Sequence, residues 1–257
     1  MKNIFFSALV LIAFSSCNKD VDQPGDITQV IPTGVTLQEQ LKNTPNDSLF
    51  YRLMIRGGQE TLIADSTKQF TVFVPDNPAM KRFINAVSGG LVPMLAPDAV
   101  FSQFISTAIS PIQAAALVQY NIIPQYVKVS NIGSGFPNFP YPSCINPAPT
   151  VSPFARLNLY PSRQNGFWIN NLPVMPAPEQ LTSNGVIHHT FGLAVPPQRM
   201  LWDRISTDNE LTYLKAAIIR ADSGTATSTS PGFFQGYLKM FGPSFTVFAP
   251  NDDAFRS

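Results

Sequence analysis

The chain has 257 residues, of which 44% are hydrophobic and 20 are phenylalanine, enough material for a sizeable core. Charged residues make up only 13% and the net charge is +1, against a usual charged share of about 25%. With Lys and Arg scattered, this pattern argues against a nucleic-acid footprint or a polybasic membrane patch, and the 24 prolines predict long stiff loops around a modest scaffold.

Met1 to Cys17 carries Lys2, an apolar run from Ile4 to Phe14 and then Ser15-Ser16-Cys17. It reads as a secretory signal and is too short for a stable membrane span. Small residues directly before a cysteine resemble the lipobox of bacterial lipoproteins, with Phe14 an unusual letter at its start. That resemblance implies cleavage before Cys17 and lipid attachment to it; an ordinary signal peptide with a coincidental cysteine is the alternative. Cys144 is then the one cysteine left, so no intramolecular disulfide is expected. From Asn18 to Gly34 the chain is polar, with Pro24, Gly25 and Pro32, and reads as a tether. Asn18 is not the Asp that resembles an inner-membrane retention signal, which favours the outer membrane. Lys19-Asp20-Val21-Asp22 loosely resembles export patches of Bacteroidetes surface lipoproteins, so the cell surface is expected ahead of the periplasmic face.

Thr36-Leu37-Gln38-Glu39 spells a capping box and predicts a short helix. Thr44-Pro45-Asn46-Asp47 starts another, with Leu49, Phe50, Leu53 and Met54 as its apolar stripe and Gly57-Gly58 as its stop. Both helices are expected to cover a sheet, with Arg52 and Arg56 in solvent. Phe70-Thr71-Val72-Phe73-Val74-Pro75 has the composition of a buried strand halted by proline. Asn77 is the expected N-cap of the helix that follows, with Pro78 at its first position, and the helix runs on through Lys81 to Val87. Pro93, Pro97 and Pro111 cut the next stretch into short helices, the last ending at Leu117-Val118-Gln119-Tyr120-Asn121-Ile122-Ile123-Pro124.

Gly133 to Pro153 is a proline-rich insertion, and its Phe136, Phe139 and Tyr141 are the candidate contact patch, for glycan rings or a protein groove. The alternative is that these rings fold back onto the sheet. Arg156–Tyr160, Phe167–Asn170 and Val186–Thr190 read as strands, with hairpin turns at Asn165-Gly166 and Asn184-Gly185. Leu193 to Pro197 reads as a closing strand. His188 and His189 point to opposite faces of a strand and cannot chelate one metal together, so no metal and no cofactor is expected. No nucleophile elbow, phosphate loop or zinc-protease motif occurs, and an enzyme is not expected.

The strand-and-cap spelling of Phe70 to Met80 returns as Phe245-Thr246-Val247-Phe248-Ala249-Pro250-Asn251-Asp252-Asp253-Ala254-Phe255. Ahead of it, Trp202–Ile205 and Glu210–Ala221 read as helices, with cap candidates in Thr207-Asp208-Asn209 and Asp222–Gly232 as a loop. The chain is therefore a repeat. Both copies resemble the first conserved segment of the fasciclin (FAS1) domain, carried by Thr71, Phe73 and Pro75 and by Thr246, Phe248 and Pro250. Asn184-Gly185-Val186-Ile187-His188 resembles the second segment. Tyr120-Asn121 resembles the family's Tyr-His pair, with Asn121 in the histidine's place, beside a region implicated in receptor binding in animal relatives. The resemblance implies an α+β wedge of two small, mainly antiparallel sheets with flanking helices. It implies residues 35–199 as a complete first domain and 200–257 as the start of a second, incomplete one. It also implies an extracytoplasmic adhesion or interaction module with a protein, matrix or glycan partner, of which a surface glycan-binding lipoprotein is the alternative form.

Overall fold

The computed structural model describes residues 34–135, 138–224, 232–240 and 245–257. The signal segment with Cys17, the tether up to Thr33, and Phe136 lie outside them. Helix α1 (Leu37–Asn43) opens with the expected capping box: Thr36 Oγ1 accepts the Glu39 N–H at 3.3 Å and the Glu39 carboxylate accepts the Thr36 N–H at 3.0 Å. Helix α2 (Ser48–Arg56) follows a short 3₁₀ turn and buries Leu49, Phe50, Leu53 and Met54. Arg52 is exposed as expected. Arg56 is not: it donates to the Ile109 carbonyl at 2.8 Å, tying the helix to a later interhelical turn.

Strand β1 (Phe70–Pro75) is buried along its whole length. Its side chains alternate between two cores, as the period of two requires. Phe70, Val72 and Val74 face a larger core built with α1, α2 and the helices α3 (Asn77–Val87), α4 (Asp98–Thr107) and α5 (Pro111–Tyr120). Phe73 faces a smaller one holding Tyr120, Ile123, Leu159, Ile169 and Val174. A strand buried on both faces needs apolar residues at consecutive positions, which explains its unbroken spelling.

β1 lies inside a four-stranded sheet, between β2 (Ile122–Ile123) and β9 (Gly185–Thr190), with β8 (Gln180–Thr182) outermost. The β1–β9 ladder is parallel, Phe70 opposite Gly185 through Pro75 opposite Thr190, while the β2 and β8 pairings are antiparallel. A parallel pair needs a long crossover, and everything from α3 to β8 supplies it. Two smaller antiparallel sheets cover the second core: β3 (Tyr141–Pro142) with β4 (Asn158–Leu159), and β5 (Pro161–Ser162), β6 (Trp168–Ile169) and β7 (Leu172–Pro173). The fold is thus α+β, with three sheets where two were expected and with its longest ladder parallel.

Three local expectations are corrected by longer-range contacts. The N-cap of α3 is Asp76, whose carboxylate accepts the Ala79 N–H at 2.8 Å. Asn77 instead turns away, accepting the Leu49 N–H at 3.0 Å and donating to the Pro45 carbonyl at 3.1 Å, and so ties the starts of α2 and α3 together. The hairpin turn before β9 is Ser183-Asn184, because Thr182 pairs with Gly185. Gly185 already belongs to the strand, and a Cβ there would lie 2.1 Å from the Phe70 carbonyl oxygen; glycine is needed for close approach. Leu193 to Pro197 forms no strand, since the Ala194 N–H and carbonyl are taken by the Asn121 side chain.

Helices α6 (Leu201–Thr207), α7 (Thr212–Asp222), α8 (Phe234–Leu238) and α9 (Asp252–Arg256) make up the C-terminal part. The repeat is visible here in hydrogen bonds. Asn251 caps α9 by accepting the Ala254 N–H at 2.9 Å, as Asp76 caps α3. Asp252, in the place of Asn77, accepts the Tyr213 N–H at 3.0 Å and the Thr212 hydroxyl, as Asn77 accepts from Leu49. Residues 245–250 take no ladder partner among the described residues, and Thr246, Phe248 and Pro250 are exposed.

Candidate functional site

The residues singled out by motif within residues 35–199 prove to be interior joints. Asn121 is fully buried; its amide donates to the Leu117 and Ala194 carbonyls, both at 2.8 Å, and accepts the Ala194 N–H at 3.2 Å. The Tyr120 hydroxyl donates to the Asn158 carbonyl and accepts from the Asn170 amide at 2.8 Å. Burial pushes that phenol above its ordinary value, with the Asn170 bond working the other way. Neither side chain is open to a partner.

The same is true of the other motif residues. Thr71 Oγ1 donates to the Gln125 carbonyl at 2.7 Å and accepts the Val127 N–H at 2.8 Å, pinning a loop to β1. Phe73 stacks on His188, ring centres 5.5 Å apart, and Phe167 stands edge-on to both. His188 Nε2 pairs with the Val127 carbonyl at 3.0 Å, and burial holds its imidazole below the ordinary range. Asn184 accepts the Leu37 N–H at 2.8 Å and donates to the Ile63 and Asp65 carbonyls, joining three separate segments. Pro75 closes β1 opposite Thr190. His189 turns to the opposite side, against the buried Asp47 carboxylate at 3.1 Å. No group of three or more His, Cys, Asp or Glu among the described residues is placed to hold a metal.

A family model for the fasciclin domain matches residues 45–190, more than half of the chain. The chain belongs to the fasciclin family. The matched span runs from the 3₁₀ turn before α2 to the last residue of β9, so it contains most of both cores and the joint-forming side chains just described, while the partners Leu37 and Ala194 lie outside it. Among solved structures, a FAS1 domain pair from the insect cell adhesion molecule Fasciclin I is similar, at 14% sequence identity and a TM-score of 0.46. The alignment covers 63% of this chain and 51% of that one, so this chain spans about half the length of the relative. No curated protein matches.

With the fasciclin joints closed, the predicted contact residues that still face outward lie in the proline-rich insertion. Of the predicted aromatic patch, Phe139 and Tyr141 line one hollow and differ in exposure. Phe139 is 70% exposed, in a hollow it shares with Tyr141, Asn138 and Ile132. Tyr141, on β3, is half-buried and packs against the second core. Further along, Val151 and Phe154 stand 76% and 87% exposed, and Phe154 forms one wall of a cleft of about 970 Å³ with Leu157, Met200, Leu201 and Tyr237. Cys144 is tucked against the main core, and burial pushes its thiol up to about 11.

Sequence reasoning missed a second hollow, beside the insertion, built on Tyr160 and Trp168. The signal was present in Phe167-Trp168-Ile169, where alternation along a strand turns Trp168 outward between two residues packed in the second core.

Proposed function

We propose that this chain is a non-enzymatic envelope lipoprotein, lipidated at Cys17, whose fasciclin unit serves as an adhesion or interaction module for a protein or matrix partner. Membership of a family commonly found in adhesion and interaction proteins supports the class of function. The single observation that carries the reading is a division of labour within residues 35–199: the family's motif residues there are spent inside the fold, while Phe139 and Val151 of the insertion, and Phe154 directly after it, are exposed. Contiguous exposed apolar area is the usual mark of an interaction surface, and these three side chains are assigned to one in this reading. Residues 200–257, with their repeated capping bonds, are in this reading the opening of a second fasciclin unit. The anchor and the cell-surface location rest on the sequence of residues 1–34.

The test is adherence of intact cells of the source bacterium to a protein matrix and to neighbouring cells. Cells making the wild-type chain are expected to adhere. Deletion of the gene and the Cys17→Ser variant, which removes the lipid attachment point, are both expected to abolish the effect. Equal adherence by all three strains would contradict the reading.

A further inference from the structure

We propose that the hollow built on Tyr160 and Trp168 is a binding site for an uncharged glycan. Its volume is about 730 Å³, within the roughly 300–1,000 Å³ of small-molecule sites. Two aromatic side chains, Tyr160 and Trp168, and five side-chain amides line it. Asn170 is already bonded to the Tyr160 N–H and the Tyr120 hydroxyl; the other four amides are Asn138, Gln164, Asn165 and Asn171. None of the four amides makes a side-chain hydrogen bond within the described residues, so each offers a free donor and acceptor pair. This is the chemistry that vicinal hydroxyls on a sugar ring require, while the apolar C–H face of the ring stacks on the aromatic one. No charged side chain lines the hollow. The nearest in sequence, Arg163, is turned away to donate to the Ile132 carbonyl, so an acidic glycan finds no counter-charge.

The platform is fixed in advance. Trp168 lies opposite Ser162 in the β5–β6 ladder, and its indole N–H reaches the Asn165 carbonyl at 3.4 Å across the turn. Gly166, with φ at +119°, leaves the space that the indole covers; a Cβ there would come within 3.3 Å of its nitrogen. Tyr160 is 47% exposed, and its N–H is held by the Asn170 side chain at 2.8 Å. Asn165 and Asn171 adopt positive φ values of 51° and 66°, which place both amides on turn tips at the rim. A site assembled on a sheet and its turns loses little freedom when it is filled.

The experiment is affinity electrophoresis of the full chain through gels containing neutral polysaccharides (β-glucan, mannan, galactan, xylan) or the acidic polygalacturonate. The wild-type chain is expected to be retarded by at least one neutral polymer and to pass freely through the acidic one. Trp168→Ala and Tyr160→Ala are each expected to weaken retardation by about tenfold or more. Trp168→Phe, which keeps a stacking face, retains most of it and guards against loss through misfolding. Phe139→Ser with Phe154→Ser, on the adhesion surface, is expected to leave retardation unchanged, so the two readings fail separately. Free passage through every neutral gel, equal retardation by polygalacturonate, or retardation untouched by the Trp168 and Tyr160 changes would overturn the proposal.

Discussion

Asn121 shows how a single side chain fixes what can replace it. Its amide makes two donations and one acceptance with no surface exposed, and a neutral imidazole has only one donor and one acceptor. Asn121→His, the residue usual in the family, should therefore cost about 1–3 kcal/mol by leaving a buried carbonyl unpaired; an unchanged denaturation midpoint would refute this. His188 supplies a pH dependence. Burial lowers its imidazole below the ordinary 6.5, against the pull of the Val127 carbonyl, so between 6.5 and that lower value the unfolded chain binds more protons than the folded one. Stability then falls as pH drops through 6.5 and levels off once the folded state is protonated too. The thermal midpoint should decline between about pH 7.5 and 5.5, and His188→Gln, though less stable throughout, should show a shallower decline. Cys144, with its thiol pushed up to about 11 by burial, holds almost no thiolate near neutrality. It should resist a disulfide reagent in the folded chain and react promptly in denaturant. Much of this was legible at the level of motif and not of cause. Asn184-Gly185 read as a turn because both residues tolerate positive φ, whereas Gly185 is there because the Phe70 carbonyl leaves no room for a Cβ. That approach is set by a residue 115 positions earlier, which no local spelling reports.

At the level of elements, helices were the legible part, since caps, stripes and stops all lie within a few residues of one another. Of the two-residue strands, β4 and β6 lie within stretches read as strands, Arg156–Tyr160 and Phe167–Asn170, whereas β3, β5 and β7 have too few positions to show a period and owe their pairing to neighbours. Both long strands were read, β9 within one residue as Val186–Thr190, and β1 through the apolar run that burial on both faces requires. What the repeat adds is a shared device: a polar residue one step past the cap of one helix also holds the first N–H groups of another, Asn77 for α2 and Asp252 for α7. Asp252→Ala should loosen the start of α7 by leaving the Tyr213 N–H without that acceptor. Faster proteolysis within residues 205–222, with the main thermal transition unmoved, is the expected result. Unaltered cleavage there would show that the contact holds nothing.

Across the whole molecule, the family signature and the candidate binding surfaces occupy different places. Thr71, Phe73, Tyr120, Asn121, Asn184 and His188 knit the two cores together, and Phe139, Phe154, Tyr160 and Trp168 stand outside them. The sequence led to the first group through its motifs. It led to only part of the second, because an exposed ring and a buried one are spelled alike: Phe139 is open and Tyr141, two residues on, is packed. The measurement that bears most directly on this division is adherence per folded molecule, scored on beads carrying equal amounts of native chain. The triple change Phe139→Ser, Val151→Ser and Phe154→Ser should leave the thermal midpoint nearly unchanged and remove most adherence. Asn184→Ala should lower the midpoint and leave adherence per folded molecule intact. Full adherence by the triple variant, together with its loss in the Asn184 variant while still folded, would contradict the account.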